Sequence, residues 1–117
     1  MKQDVVVLLT RAPYGRVHVP EGLRAARGVA AGFDRHDVTV VFTGDAVHAA
    51  TDSVDREALN MPGHIEDLLA EDGEMVADEA AMAERGVEPE QVAEDVAVRS
   101  GEAVARRIRE ADHTLDF

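Results

Sequence analysis

The 117-residue chain carries 24 Asp and Glu against 12 Lys and Arg, a formal net charge of −12, and no cysteine. Without a thiol it forms no disulfide, thiolate metal site, cysteine nucleophile or covalent sulfur carrier, and its acidic balance argues against direct nucleic-acid binding, which needs concentrated positive charge. The length fits one domain, residues 1–117, able to bury about two thirds of the surface its unfolded form exposes.

Met1-Lys2-Gln3-Asp4 leads straight into the apolar run Val5-Val6-Val7-Leu8-Leu9. No apolar run is long enough to span a bilayer and no signal peptide precedes this one, so a cytoplasmic protein without membrane contact is expected. The run itself has strand length without alternation, the pattern of a strand buried on both faces. It empties into the loop Thr10-Arg11-Ala12-Pro13-Tyr14-Gly15, and ligand or partner surface in open α/β sheets lies beyond the carboxyl ends of such strands. Pro20-Glu21-Gly22 then opens a helix to about Phe33, with Leu23, Ala26, Ala30 and Phe33 on one face. Gly32 and Asp34-Arg35-His36-Asp37 close it, and Val38–Phe42 is a second strand, which makes a right-handed βαβ unit with parallel strands.

Thr43-Gly44-Asp45 is a tight turn in which Asp45 is placed to cap a short helical segment, Ala46–Ala50. Thr51–Asn60 reads as a surface loop, and Gly63–Ala70 as a short helix with Ile65, Leu68 and Leu69 on one face. Glu74–Ala77 is a third strand, after which Asp78 caps a helix from Glu79 to Arg85 that Gly86 ends. Pro89 starts a further helical segment that Val92 and Val96 continue, with a fourth strand over Asp95–Val98 as the alternative. Ser100 starts the last helix, with Val104, Ile108 and Ala111 inward, and His113–Phe117 alternates as a terminal strand. The order predicts an α/β fold: three layers, α/β/α, around a mostly parallel sheet of about five strands.

The first loop contains Pro13, which has no N–H, and neither Gly-x-Gly-x-x-Gly nor Gly-x-x-x-x-Gly-Lys occurs, which disfavours nucleotide and flavin cofactors. No cofactor is expected. Tyr14, the only tyrosine, sits at the loop tip beside Gly15, either as an exposed interface anchor or folded back over the sheet end. The five histidines lack His-x-x-x-His or His-Glu-x-x-His spacing. Asp45 and His48, three apart, can share a helix face as a weak metal site or an acid-base pair, with His18 of the first loop a third candidate for that neighbourhood. A helix cap plus a surface histidine is the preferred reading of the pair, since a site needs more convergent ligands than two. Asp78-Glu79 after the third strand passes for a catalytic carboxylate pair, although Asp at an N-cap followed by Glu is the commoner structural pattern. Ser53 and Ser100 have no nucleophile-elbow context, so no catalytic residue and no metal ligand is assigned.

Several segments, in order along nearly the whole chain, resemble the DsrE/DsrF-like sulfur-relay family, which includes the TusB, TusC and TusD subunits. Thr10–Gly15 followed by Glu21-Gly22-Leu23 is similar to the TusC/DsrF opening of Ala-Pro-His/Tyr-Gly and then Glu-Gly-Leu. Val40–Val47 resembles the family's second strand with its Asp-Gly-Val turn, and Ala80–Pro89 its Arg-Glu-Arg-Gly-Leu-Asp-Pro segment. Ala111–Phe117 resembles its Ala-Asp-x-Val-Leu-x-Phe ending. The acidic, Lys-poor, Ala- and Val-rich composition is also similar to that of cytosolic proteins of extreme halophiles, where salt screens self-repulsion.

The resemblance implies a DsrE-like fold related to flavodoxin, and assembly into trimers or hexamers as a homo-oligomer or with DsrE-family paralogues, with a sulfur-carrier protein as a possible further partner. In the DsrE/TusD subunit a cysteine at the end of the third strand accepts persulfide sulfur, and the matching position here is Asp78. The expected role is a non-catalytic subunit whose partner surface comprises Tyr14, Gly15, Gly44, Asp45, His48, Asp78 and Glu79, in tRNA thiolation or sulfur metabolism. The alternative from another class is a cysteine-free small-molecule or metal-binding enzyme using Asp45, His48 and Asp78.

Overall fold

A computed structural model describes residues 2–32 and 36–117. The expected strands form one five-stranded sheet in the order β4-β3-β2-β1-β5: β1 Asp4–Leu9, β2 Asp37–Phe42, β3 Glu74–Asp78, β4 Ala97–Arg99 and β5 His113–Asp116. Every pair in it is parallel. Val7 lies opposite Val40 on one side and Leu115 on the other, so β1 is an inner strand. Val6 and Val7 are 1% and 0% exposed, the double-sided burial that an unbroken β-branched run signals.

Helix α1 (His18–Ala30), the 3₁₀ segment Gly44–Ala50, α2 (Pro62–Ala70) and α3 (Glu79–Glu84) connect β1 to β4 in order across the sheet. Their apolar residues join one core with Val5, Val7, Leu9, Val38, Val40, Phe42, Met75 and Ala77. Helix α4 (Gly101–Glu110) returns the chain from β4 across the sheet to β5 beside β1. Right-handed crossovers running in opposite directions must cover opposite faces, so α4 alone covers the second face. There Val104, with Ile108 and Ala111 beside it, packs on Val6, Val41 and Val76. The third layer is therefore one helix deep.

Several local boundaries differ from expectation. Helix α1 begins at His18, ahead of Pro20, because proline is tolerated in a first turn where its missing N–H has no partner to lose. Phe33, Asp34 and Arg35, expected at its end, lie outside the described residues. The 3₁₀ segment starts at Gly44 with Thr43 as N-cap, so Asp45 lies inside the first turn and does not cap it. Leu69 is 37% exposed and turns away from Ile65 and Leu68. The segment after Pro89 is a single 3₁₀ turn, Pro89–Gln91, and the fourth strand starts only at Ala97. Val92 leaves the helical path because it pairs with Thr51 in an antiparallel bridge. Asp78 and Ser100 are the N-caps of α3 and α4, accepting from the backbone N–H of Ala80 and Ala103. Among the described residues no helix is long and apolar enough to cross a membrane.

Candidate functional site

The carboxyl ends of β1, β2 and β3 each release a loop carrying part of the expected surface, and two hydrogen bonds hold these ends together. Thr43 N–H, just past β2, donates to Leu9 O at 2.9 Å. The next residue, Gly44, has φ +53°, and a Cβ there would stand 3.0 Å from Thr10 O, so the turn requires glycine both for its left-handed backbone and for its closeness to the β1 exit. From β2 to β3, Thr43 Oγ1 donates to Asp78 Oδ2 at 2.7 Å.

Asp78 is half-buried, and its second oxygen, Oδ1, accepts from Ala80 N–H at 3.0 Å. Both oxygens are thus engaged by protein donors. After β3 the chain leaves on the main-core face, through α3, and after the neighbouring β4 on the opposite face, through α4. Adjacent strands with exits on opposite faces open the crevice where such sheets take ligands. In this chain the crevice is narrow: a Cβ on Gly101, at the start of α4, would meet Ala80 Cβ at 2.9 Å and Asp78 Oδ1 at 3.5 Å. Glu79, in the first turn of α3, is exposed.

Asp45 is bound at Oδ1 by Arg85 Nε at 2.8 Å, and Arg85 Nη1 also donates to Ala81 O at 3.2 Å. The hydrogen bond from Arg85 is the largest reason that the Asp45 carboxyl is held below its ordinary value, with smaller help from the charges of Arg85, His48 and Arg16. His48 is half-buried in the 3₁₀ segment, and its carbonyl accepts from Thr51 Oγ1 at 3.1 Å. The Asp45 and Asp78 carboxylates are therefore directed to different protein partners. Among the described residues no group of three or more His, Cys, Asp or Glu is placed to hold a metal ion.

Tyr14 is 65% exposed, followed by Gly15 at φ +68° and by Val17, 66% exposed. Beside them a shallow cavity of about 370 Å³ is lined by Pro13, Gly15, Val17, Pro20 and Leu59. The loop tip thus presents an apolar aromatic corner to solvent. His18 opens α1, where its Nε2 lies 2.8 Å from Arg11 Nη1 and accepts from it, because a guanidinium only donates.

Thr43 and Arg85 are the residues that sequence reasoning missed. Thr43 looked like turn filler, and Arg85 like the end of a helix; each acts on a carboxylate 35 or 40 positions away in the chain, which local patterning does not register. A second cavity, about 190 Å³, lies under α4 between Thr39, Val41, Val76 and Arg107, where Arg107 Nη2 donates to the buried Thr39 Oγ1 at 2.6 Å. It exists because only one helix covers that face, a consequence of topology with no local signal.

The DsrE/DsrF-like family model matches residues 3–117. The chain belongs to the DsrE/DsrF-like family. Among solved structures, the YchN protein of E. coli covers all of this chain and matches over its own full length, at 22% identity and a TM-score of 0.78. MTH1491 of Methanobacterium thermoautotrophicum, a protein of unknown function, covers 99% of this chain and matches over 100% of its own, at 16% identity and a TM-score of 0.76. At such identities these likenesses concern the fold: the DsrE-like parallel α/β architecture. No curated protein matches the chain.

Proposed function

We propose that this DsrE/DsrF-like chain serves sulfur relay as a non-catalytic DsrF/TusC-like subunit, or as a homo-oligomer, in the cytoplasm. It docks and orients thiols that other chains carry. Family membership supports the sulfur-relay setting. The observation that carries the non-catalytic part is Asp78. It stands where the family resemblance locates the sulfur-accepting cysteine of the DsrE/TusD subunit, in a chain with no cysteine, and its two oxygens are taken by Thr43 and Ala80. Sulfane transfer requires a thiolate that attacks sulfur and then releases it, and a capped carboxylate does neither.

The docking surface proposed for the thiol-bearing partner is the end of the sheet that carries Tyr14, Gly15, Gly44, Asp45, His48, Asp78 and Glu79. Tyr14 supplies a large exposed ring of the kind that anchors interfaces. The partner is a cysteine-bearing DsrE-family paralogue in a trimer or hexamer, with a sulfur-carrier protein as a further client. Incubation of the purified chain with a persulfide donor tests the first part: no bound sulfane sulfur is expected, and uptake with onward transfer would overturn the reading. Capture of the chain at high salt, followed by mass spectrometry, tests the second: a cysteine-bearing family member is expected, and a pure homomer argues against the heteromeric subunit.

A further inference from the structure

Helix α4 leaves β4 and crosses the second face toward β5, and the cavity of about 190 Å³ lies in the gap this opens beside it. Its floor is Val41 of β2 and Val76 of β3, paired in register. One wall is α4, whose Ala103, Arg106, Arg107 and Glu110 share a face at helical spacing. The other is Arg99, two residues past Ala97 on β4 and therefore on the same sheet face as Val76. Three guanidiniums thus line one small volume in a chain whose formal net charge is −12.

Arg24, Arg27, Arg56 and Arg85 each form an ion pair with a carboxylate. Among the described residues Arg99, Arg106 and Arg107 form none, although Glu74 and Glu110 line the same cavity. A guanidinium carries five N–H donors. Arg99 directs one to Val98 O at 3.1 Å, Arg107 directs one to Thr39 Oγ1, and Arg106 has no protein acceptor, so most of these donors are open. Thr39 is 3% exposed on a face otherwise made of Val6, Val41 and Val76. Its hydroxyl fixes the Arg107 fork at the sheet surface, which lowers the cost of ordering that side chain around a ligand.

We propose that this cavity binds a small organic monocarboxylate, its carboxylate held by Arg99, Arg106 and Arg107 and its short hydrocarbon body laid over Val41 and Val76. The site goes beyond sulfur relay and does not depend on it. The volume equals about six water molecules at roughly 30 Å³ each, too little for a nucleotide or another drug-sized ligand. Three guanidiniums against Glu74 and Glu110 leave one net positive charge around the cavity, which suits a monoanion and sets two carboxylates against a phosphate dianion. The planar fork of arginine matches a carboxylate through two parallel N–H bonds. The valine floor suits a body of a few carbons.

Equilibrium dialysis of the full chain against radiolabelled butyrate, at low ionic strength, tests the site. Uptake should saturate at one butyrate per chain, with millimolar or tighter affinity. Arg99→Gln and Arg106→Gln should each weaken binding at least about tenfold, because each removes a charge-assisted donor. Arg109→Gln, which makes the same charge change on α4 at a residue outside the cavity lining, should leave it unchanged. Ala103→Leu, which fills the cavity without altering charge, should abolish uptake; the exposed Arg99 and Arg106 keep the test decisive if that variant fails to fold. Butylamine should not compete, and inorganic phosphate should compete at least about tenfold less well than unlabelled butyrate. Uptake that does not saturate overturns the proposal. So does an equal loss in Arg109→Gln, which marks a diffuse surface charge, and so does phosphate competing as well as butyrate.

Discussion

Thr43 Oγ1 donates to Asp78 Oδ2 at 2.7 Å, and this bond joins the exits of two adjacent strands across 35 positions of sequence. The other oxygen of the same carboxylate caps α3. One side chain thus closes a helix start and fastens the neighbouring loop, so the end of β3 is built as a joint.

Removing that joint has a graded cost. Asp78→Ala loses a helix cap and a hydroxyl partner, and should lower unfolding free energy by about 1–2 kcal/mol. Thr43→Val leaves the cap and should cost roughly 1 kcal/mol. Because the two share one bond, the double variant should fall short of the sum of the singles by several tenths of a kcal/mol. Urea unfolding of the four proteins measures this, and strict additivity would show that the bond contributes nothing.

Gly44→Ala asks an L-residue to hold φ +53° with its Cβ 3.0 Å from Thr10 O. The left-handed backbone alone costs roughly 1–2 kcal/mol. Loss of that size in thermal unfolding, with Gly28→Ala neutral or stabilising as the comparison, is the expected result. A Gly44→Ala protein as stable as wild type would mean that the turn does not need this conformation.

Arg56 Nη1 and Nη2 each bond an oxygen of Asp95 at 2.7 Å, tying the segment after the 3₁₀ segment Gly44–Ala50 to the approach to β4. The hydrogen bond from Arg56 is the largest reason that the Asp95 carboxyl is held below its ordinary value, with burial opposing it. A carboxylate held below its unfolded value stabilises the fold fully above that value and loses the contribution as pH falls through the lower folded one. The part-exposed geometry places Asp95→Asn at about 1 kcal/mol destabilising near neutrality. Melting curves from pH 7 to pH 2 should show the gap between wild type and variant closing only below about pH 4. Asp45, bound by Arg85, follows the same sign on the exposed surface.

With 24 acidic residues against 12 basic, self-repulsion opposes compaction at low ionic strength. Raising NaCl from 0.1 M to 1 M shortens the Debye length from about 10 Å to 3 Å and should raise the melting temperature by several degrees, since about 1 kcal/mol corresponds to roughly 4–8 °C in a small domain. Chloride salts of different cations should act alike if screening is the cause. A melting temperature that falls with salt would show that the ion pairs outweigh the net charge.

Local sequence determined the elements. The runs Val5–Leu9 and Val38–Phe42 are β-branched and apolar enough to be strands anywhere, and Asp78 and Ser100 are placed as N-caps by the residues that follow them. Those signals act within a few positions, so they are readable one window at a time. The absence of cysteine was equally plain, and with it the exclusion of thiol chemistry. Tertiary structure decided the rest: that α4 stands alone on its face, that β4 waits until Ala97 because Val92 bridges Thr51, and that Asp45 binds Arg85 and caps no helix. Each of these depends on residues brought together from far along the chain. Periodicity says which side chains leave water, but the handedness of crossovers and the reach of individual donors choose the partners they meet.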